Sequence, residues 1–285
     1  MSVERGAGRI DSPRNDRLRA LLRLRDRAGR DAAGLTLVDG VREIRRAIEA
    51  GAELRQLLVR DGAPSVKTRK DTGSDREAVL HLAASAGIRP TPVADPAYER
   101  LAYGDRDDGL VAVVAVPATS LASLEPGPSP LLLVADGIEK PGNLGALVRS
   151  ADGAGADGVI ATSTIGDLYN PNAIRASLGA IFRVRPVTAT PSEAIDWCRA
   201  RGIRLVAARV DGPAEHTATD LTGPLALVVG SEAHGLGTAW DDPAIGRVRI
   251  AMRGIGDSLN VSVAAAVLLY EARRQRDAIA RADGG

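Results

Sequence analysis

LLLVADGIEKPGNLGALVRSADGAGADGVIAT, residues 131–162, decides how this chain folds. It opens with the apolar run LLLVAD, six residues bounded by Gly137. That is the length and composition of a strand buried on both faces. A loop with Pro141, Gly142, Asn143 and Gly145 follows, and the spacing predicts a helix over 143–155. GVIAT (158–162) then reads as a second strand. Strand, loop, helix, strand is the repeating unit of a parallel sheet. Further strands are expected at RLVAARV (204–210), LALVVG (225–230) and RVRIAM (247–252), and further helices at 170–180, 191–201 and 258–281. The fold class is therefore α/β, with a parallel sheet covered by helices on both faces.

The stretch also contains a decoy. GAGADG (153–158) fits G-x-G-x-x-G, but a dinucleotide fingerprint follows a strand and opens a helix. Here the glycines close a helix and lead into a strand, which disfavours a dehydrogenase.

On the N-terminal side, PATSLASLEPGPSP (117–130) is rich in Pro, Ser and Gly and reads as a linker. It separates residues 131–285 from a smaller α/β domain, 1–116. In that domain a basic helix is expected over 16–28, with Leu18, Leu21 and Leu22 on one face. Strands are expected at 35–40, 54–61 and 110–116, and helices at 41–51 and 76–87. Residues 63–75 are polar and read as a loop.

Composition narrows the function classes. Of 285 residues, 45% are hydrophobic and only 2% aromatic, so aliphatic side chains must fill the core. No apolar run reaches the roughly 18 residues of a membrane span. Residues 1–15 lack the apolar stretch of a signal peptide. Cys198 is the only cysteine, which excludes an intrachain disulfide and a cysteine metal cluster. A cytoplasmic protein without a metal is expected. Net charge is only +1, but residues 1–60 hold 14 Arg against 9 acidic residues. Arginine suits phosphate and base recognition. Arg14 and Arg17, in this segment, are candidate RNA contacts.

Three segments carry residues suited to chemistry. In the first, Asn143 offers a donor and an acceptor in a glycine-bearing loop, and Arg149 follows on the helix. In the second, LALVVGSEAHGLG (225–237), a strand runs into Gly230, Ser231 and Glu232. Ligands of open α/β sheets bind beyond such carboxyl ends. His234 there reads as a surface histidine. In the third, RIAMRGIGDSLNVSVAAAVLLYEARRQR (249–276), Ser258, Leu259 and Asn260 stand where a helix starts, and Ser258 suits an N-cap.

Together and in this order the three segments resemble the SpoU-type RNA 2′-O-ribose methyltransferases of the knotted SPOUT class, over residues 131–278. DLYNPNAIRASLGAIFRV (167–184) also looks like that family, and adds Arg175 and Ser177 as candidate RNA contacts. The N-terminal region resembles the L30e-like substrate-binding domain often fused to it. The resemblance implies a deep trefoil knot, a homodimer, and S-adenosylmethionine as cofactor. It implies Gly230, Ile250, Met252, Ser258, Leu259 and Asn260 as cofactor-binding residues, and Asn143, Arg149, Glu232, Ser258 and Asn260 as catalytic ones. Ala251 departs from the family's usual proline, and Arg185 adds a charge beside the family-like segment. The implied function is methylation of a ribose 2′-hydroxyl, in ribosomal RNA given the separate N-terminal domain. Transfer RNA is the alternative substrate, and a non-catalytic RNA-binding protein the alternative class. The resemblance also makes Arg149 the candidate base, but an arginine stays protonated. It is better suited to gripping a phosphate and orienting the hydroxyl.

Overall fold

The computed structural model describes residues 8–62, 72–102, 108–163, 167–232 and 234–283. Two compact units are present. The first comprises the chain up to Pro117 together with Tyr169–Arg183, and the second comprises Ala118–Leu168 and the chain from Val184 onward.

In the first unit, β1 (Leu35–Asp39), β2 (Leu54–Asp61), β3 (Thr91–Ala94) and β4 (Leu110–Ala115) form one sheet in the order β1-β4-β2-β3. β4 is antiparallel to both of its neighbours, and β2 and β3 are parallel. The expected basic helix is broken. α1 (Asp16–Leu22) passes through a single tight turn, Arg23–Arg25, to an extended Asp26 (φ −93°, ψ 144°) before α2 (Arg27–Ala33). Gly29 permits the close approach that follows: a Cβ there would stand 2.0 Å from the Arg23 carbonyl oxygen. Folding the chain back in this way buries Leu18, Leu21 and Leu24 with Leu37, Leu58 and Tyr98, a longer apolar face than one straight helix could offer. α3 (Val41–Glu49), α4 (Thr72–Ser85) and α5 (Asp95–Leu101) complete the N-terminal part. Most of the polar stretch read as a loop, 63–71, lies outside the described residues, and its last positions already belong to α4.

In the second unit, seven parallel strands run in the order β7-β6-β5-β10-β8-β11-β9. They are β5 (Leu131–Asp136), β6 (Gly158–Thr162), β7 (Val187–Ala189), β8 (Arg204–Ala208), β9 (Ala214–Glu215), β10 (Leu225–Val229) and β11 (Gly246–Arg249). β5, β6 and β10 are buried at every position, as a two-sided sheet demands. Leu132, Val134, Ala226 and Val228 pack on one side with Ile195, Cys198 and Trp240, below α9 (Pro191–Arg199). The alternating residues face α6 (Pro141–Gly153) and α10 (Val261–Asp283). Arg273 of α10 closes the end of α6, donating from Nε to the Ala154 carbonyl and from Nη2 to the Gly155 carbonyl, both at 2.8 Å. The glycines of GAGADG thus end a helix and start β6, as their order in the sequence requires.

Several boundaries differ from expectation. The strand expected at 247–252 ends at Arg249, because its partner β9 is only two residues long and offers nothing further to pair with. The helix expected over 170–180 ends early: α7 (Pro171–Ala176) stops before Leu178 and Gly179, both at positive φ, and a separate α8 (Ile181–Val184) follows beyond the expected range. Residues Tyr169–Arg183 cluster with the first unit, where Thr36 Oγ1 donates to the Tyr169 carbonyl at 2.7 Å. The 117–130 stretch is packed: Leu124 is buried in the core of the second unit, and the Thr188 amide donates to the Thr119 carbonyl at 2.7 Å.

Candidate active site

The loops that leave β8, β10 and β11 converge at the carboxyl end of the second sheet. Together with the first turns of α10 they enclose a cavity of about 530 Å³, a volume suited to a nucleoside-sized ligand. Its walls are mixed. Leu236, Ile250, Met252, Leu259 and Val261 are apolar, and Ser231, Glu232, Asp257 and Ser258 add polar groups.

The β10 loop is held by its backbone. The Ser231 amide donates to the Gly235 carbonyl at 3.1 Å, and the Gly235 amide returns a bond to the Ser231 carbonyl at 2.9 Å. Ser231 Oγ accepts from the His234 amide at 3.1 Å. The chain can double back this tightly because position 230 is glycine. A Cβ there would fall 2.3 Å from the Gly235 carbonyl carbon and 2.6 Å from the Leu236 nitrogen. The β8 loop is held from β11: Arg249 Nη1 donates to the carbonyls of Gly212 (2.7 Å) and Pro213 (2.9 Å).

At the rim, Asn260 joins three elements. Its Oδ1 accepts from the Ser262 amide at 3.0 Å and from Ser262 Oγ at 2.6 Å, and its Nδ2 donates to Glu232 Oε1. Asn260, and not Ser258, therefore caps α10, which starts at Val261. Ser258 lies two residues earlier, exposed in the loop that lines the cavity. The second oxygen of Glu232 lies 3.8 Å from Lys140 Nζ, immediately before α6. With Lys140 77% exposed, that pair contributes little to stability, under about 1 kcal/mol. It does bring the head of α6 to the carboxylate.

Gly230, Ile250, Met252, Ser258 and Leu259 thus line one cavity, and Asn260 reaches its rim through Glu232. Asn143 is half-buried in the first turn of α6, three residues after Lys140. Arg149 stands six residues further along α6, about 9 Å by helix rise. It is exposed, without an ion pair among the described residues, and does not line the cavity. Lys140 and Asp257 were not singled out from sequence. Lys140 sits inside the first motif, and its being one of three lysines in the chain was the available signal.

Of the RNA candidates, Arg14 is exposed, and Arg17 is half-buried with Nη1 donating to the Gly8 carbonyl at 2.8 Å. Arg175 is half-exposed at the end of α7. Ser177 requires a correction. It is fully buried, and its hydroxyl donates to the Ile174 carbonyl at 2.8 Å, so it closes the end of α7 and has no surface to offer an RNA.

Comparison with known proteins places this geometry. Residues 130–270 match the SpoU rRNA Methylase family, and residues 15–112 match the MRM3-like substrate binding domain. A 23S rRNA (uridine(2479)-2′-O)-methyltransferase of Streptomyces viridochromogenes is 34% identical over 259 residues, covering 89% of this chain and 87% of that protein. The chain belongs to the SpoU rRNA methylase family. Among solved structures of similar proteins, an RNA 2′-O ribose methyltransferase is 41% identical, with a TM-score of 0.79 over 94% of this chain and 98% of that one. The SpoU methyltransferase AviRb from Streptomyces viridochromogenes, in complex with the cofactor AdoMet, is 32% identical with a TM-score of 0.80, covering 93% and 100%. The SpoU match spans all three loops of the cavity as well as α6, so the cavity residues, Asn143 and Arg149 lie within the family region.

Proposed function

We propose that this protein transfers a methyl group from S-adenosylmethionine to a ribose 2′-hydroxyl of 23S ribosomal RNA. The observation that carries the reading is likeness along nearly the whole chain to SpoU enzymes, one named for 2′-O-methylation of 23S rRNA and one solved with AdoMet.

The cavity fits that cofactor. Apolar side chains at Leu236, Ile250, Leu259 and Val261 suit the faces of an adenine ring, and the exposed polar groups of Asp257 and Ser258 suit ribose and amino-acid functions. When bound, S-adenosylmethionine supplies an electrophilic methyl group on a sulfonium sulfur. The remaining work falls to the protein. Glu232, fixed by Asn260 and neighboured by Lys140, holds the rim in one geometry, so that the ribose meets a preorganised surface. Ser258 and Asn143 supply hydrogen-bonding groups to the ribose hydroxyls. Arg149, exposed and permanently charged, grips the phosphate beside the target and orients its hydroxyl.

The N-terminal domain, 1–116, selects the RNA, and 131–285, joined to it by 117–130, carries the chemistry. The MRM3-like match supports that division. A homodimer is part of the proposal. Val263 (47% exposed) and Tyr270 (53%) stand two turns apart on one face of α10, where a partner would cover them. So is the trefoil knot, which fits β10 entering between β5 and β8, two strands that precede it in the chain. A cytoplasmic location is part of the proposal, and a ribosomal RNA substrate supports it.

The test is incubation with methyl-labelled S-adenosylmethionine and deproteinised 23S rRNA, followed by alkaline hydrolysis. A 2′-O-methyl group blocks cleavage at one linkage. Label on a base, or none on RNA despite cofactor binding, would overturn the reading.

A further inference from the structure

The first unit contains a strained turn. After α7 the chain passes through Leu178 at φ +55° and Gly179 at φ +83° before entering α8. A leucine in the left-handed region costs about 1 kcal/mol. Such strain persists where surrounding contacts enforce it, often where a ligand is held. Ser177 Oγ and the Gly179 amide both donate to the Ile174 carbonyl, at 2.8 and 3.0 Å. From α3, Arg46 Nη1 donates to the Leu178 carbonyl at 2.8 Å. Gly179 lies so close to α3 that a Cβ would meet Glu43 Cα at 3.1 Å and Arg46 Cβ at 3.2 Å. The turn and Arg46 therefore hold one another.

What this does to charge matters more. The partner of Arg46 is a neutral carbonyl, and no carboxylate pairs with this arginine among the described residues. Its guanidinium is exposed, oriented through one nitrogen, and keeps its full positive charge. Its neighbours differ. Arg45 is matched by Glu49 at 2.7 Å and Asp75 at 2.6 Å, and Arg42 by the buried Glu43 at 2.8 Å. In the arginine-rich N-terminal segment, Arg19 pairs with Asp16, Arg27 pairs with Asp31, and Arg30 is buried against the Leu24 and Arg25 carbonyls. Part of the charge in that segment is therefore paired or enclosed, while Arg17, like Arg46, donates to a carbonyl, and Arg14 is exposed with no carboxylate partner among the described residues.

We propose that Arg46, presented by the Leu178–Gly179 turn, is a phosphate-contacting residue of the RNA surface of the first unit. Arg175 and Arg183 lie on the two helices that the turn connects. The inference rests on the reading under Proposed function and adds to it where the RNA backbone is gripped.

The test is filter binding of the full chain to deproteinised 23S rRNA across a salt series, with S-adenosylmethionine affinity measured alongside. Arg46→Ala should weaken RNA binding about threefold to tenfold and lower the salt slope by roughly one, the signature of one lost phosphate contact. Arg46→Gln keeps a hydrogen-bond donor on a shorter side chain but not the charge, and should behave like Arg46→Ala. Arg46→Lys should preserve the salt slope. Cofactor affinity should stay at the parent value in all three variants. Parent-like binding and slope in Arg46→Gln would overturn the inference, assign Arg46 to holding the turn, and leave the enzymatic reading standing. A parent protein that fails to bind the RNA would overturn both.

Discussion

Replacing Gly230 by alanine tests the construction of the proposed cofactor site with a single methyl group. The new Cβ would lie 2.3 and 2.4 Å from the Gly235 carbonyl carbon and oxygen. Both are backbone atoms, so no side chain can swing aside. Relief requires opening the Ser231–Gly235 pair, which forfeits two backbone hydrogen bonds worth about 1 kcal/mol each. Residual overpacking adds about 1 kcal/mol. A loss of about 3 kcal/mol should lower the melting temperature by roughly 10 °C for a chain of this size. Because the same loop lines the cavity, S-adenosylmethionine affinity should fall at least about tenfold, or about 1.4 kcal/mol by calorimetry. Gly202→Ala is the control. Gly202 sits at φ +65° with nothing within 4 Å of a Cβ, in the turn before β8, at the opposite end of the sheet. That variant should lose about 1 kcal/mol through backbone conformation alone and keep parent affinity. If Gly230→Ala melts like the parent and binds the cofactor as well, the loop is not held as described, and the assignment of the cavity loses its support.

Asn260→Ala should cost about 1 kcal/mol in chemical denaturation through the lost α10 cap and slow methyl transfer more than that stability loss explains, since Glu232 loses its fixed partner. Arg149→Ala should melt within about 0.5 kcal/mol of the parent yet turn over on the order of a hundredfold more slowly; near-normal turnover would remove Arg149 from the mechanism. Glu271 is held down to about 2 by hydrogen bonds from Arg274 and then Gln275, so the unfolded chain takes up its proton first on acidification. The stabilisation it provides is complete above pH 4.5, its ordinary value, and is lost as pH falls toward 2. Glu271→Gln should therefore flatten the acid side of the stability profile and leave the neutral side flat. Sedimentation at micromolar concentration should give twice the chain mass, and Tyr270→Asp should shift it toward the monomer; an active monomeric parent would refute the dimer.

Much of the fold was legible because its strands are buried on both faces. LLLVAD and LALVV are continuous apolar runs, and a parallel sheet is the setting that demands them. β7 and β9 were missed because three and two residues carry no period. The break at Asp26 was missed for a different reason: local leucine spacing favours one helix, and only the burial of Leu24 beside Leu18 and Leu21 rewards folding back. The candidate site divides along the same line. Its glycines and polar residues could be named from motif order, but their partners could not. Ser258 and Asn260 are both good caps by residue type. The choice between them follows from Glu232, 28 residues away, which takes one end of the Asn260 amide while the helix takes the other. A serine hydroxyl has no second end of that reach, so an amide side chain at 260 can cap the helix and hold the carboxylate at once. Asn260→Asp separates those two duties. The carboxylate can still accept from the Ser262 amide and cap α10, but it offers Glu232 a like charge in place of a donor. Stability near the parent with transfer as slow as in Asn260→Ala would show that the site needs the amide bond to Glu232 and that the cap alone does not suffice. Parent-like transfer would show the reverse.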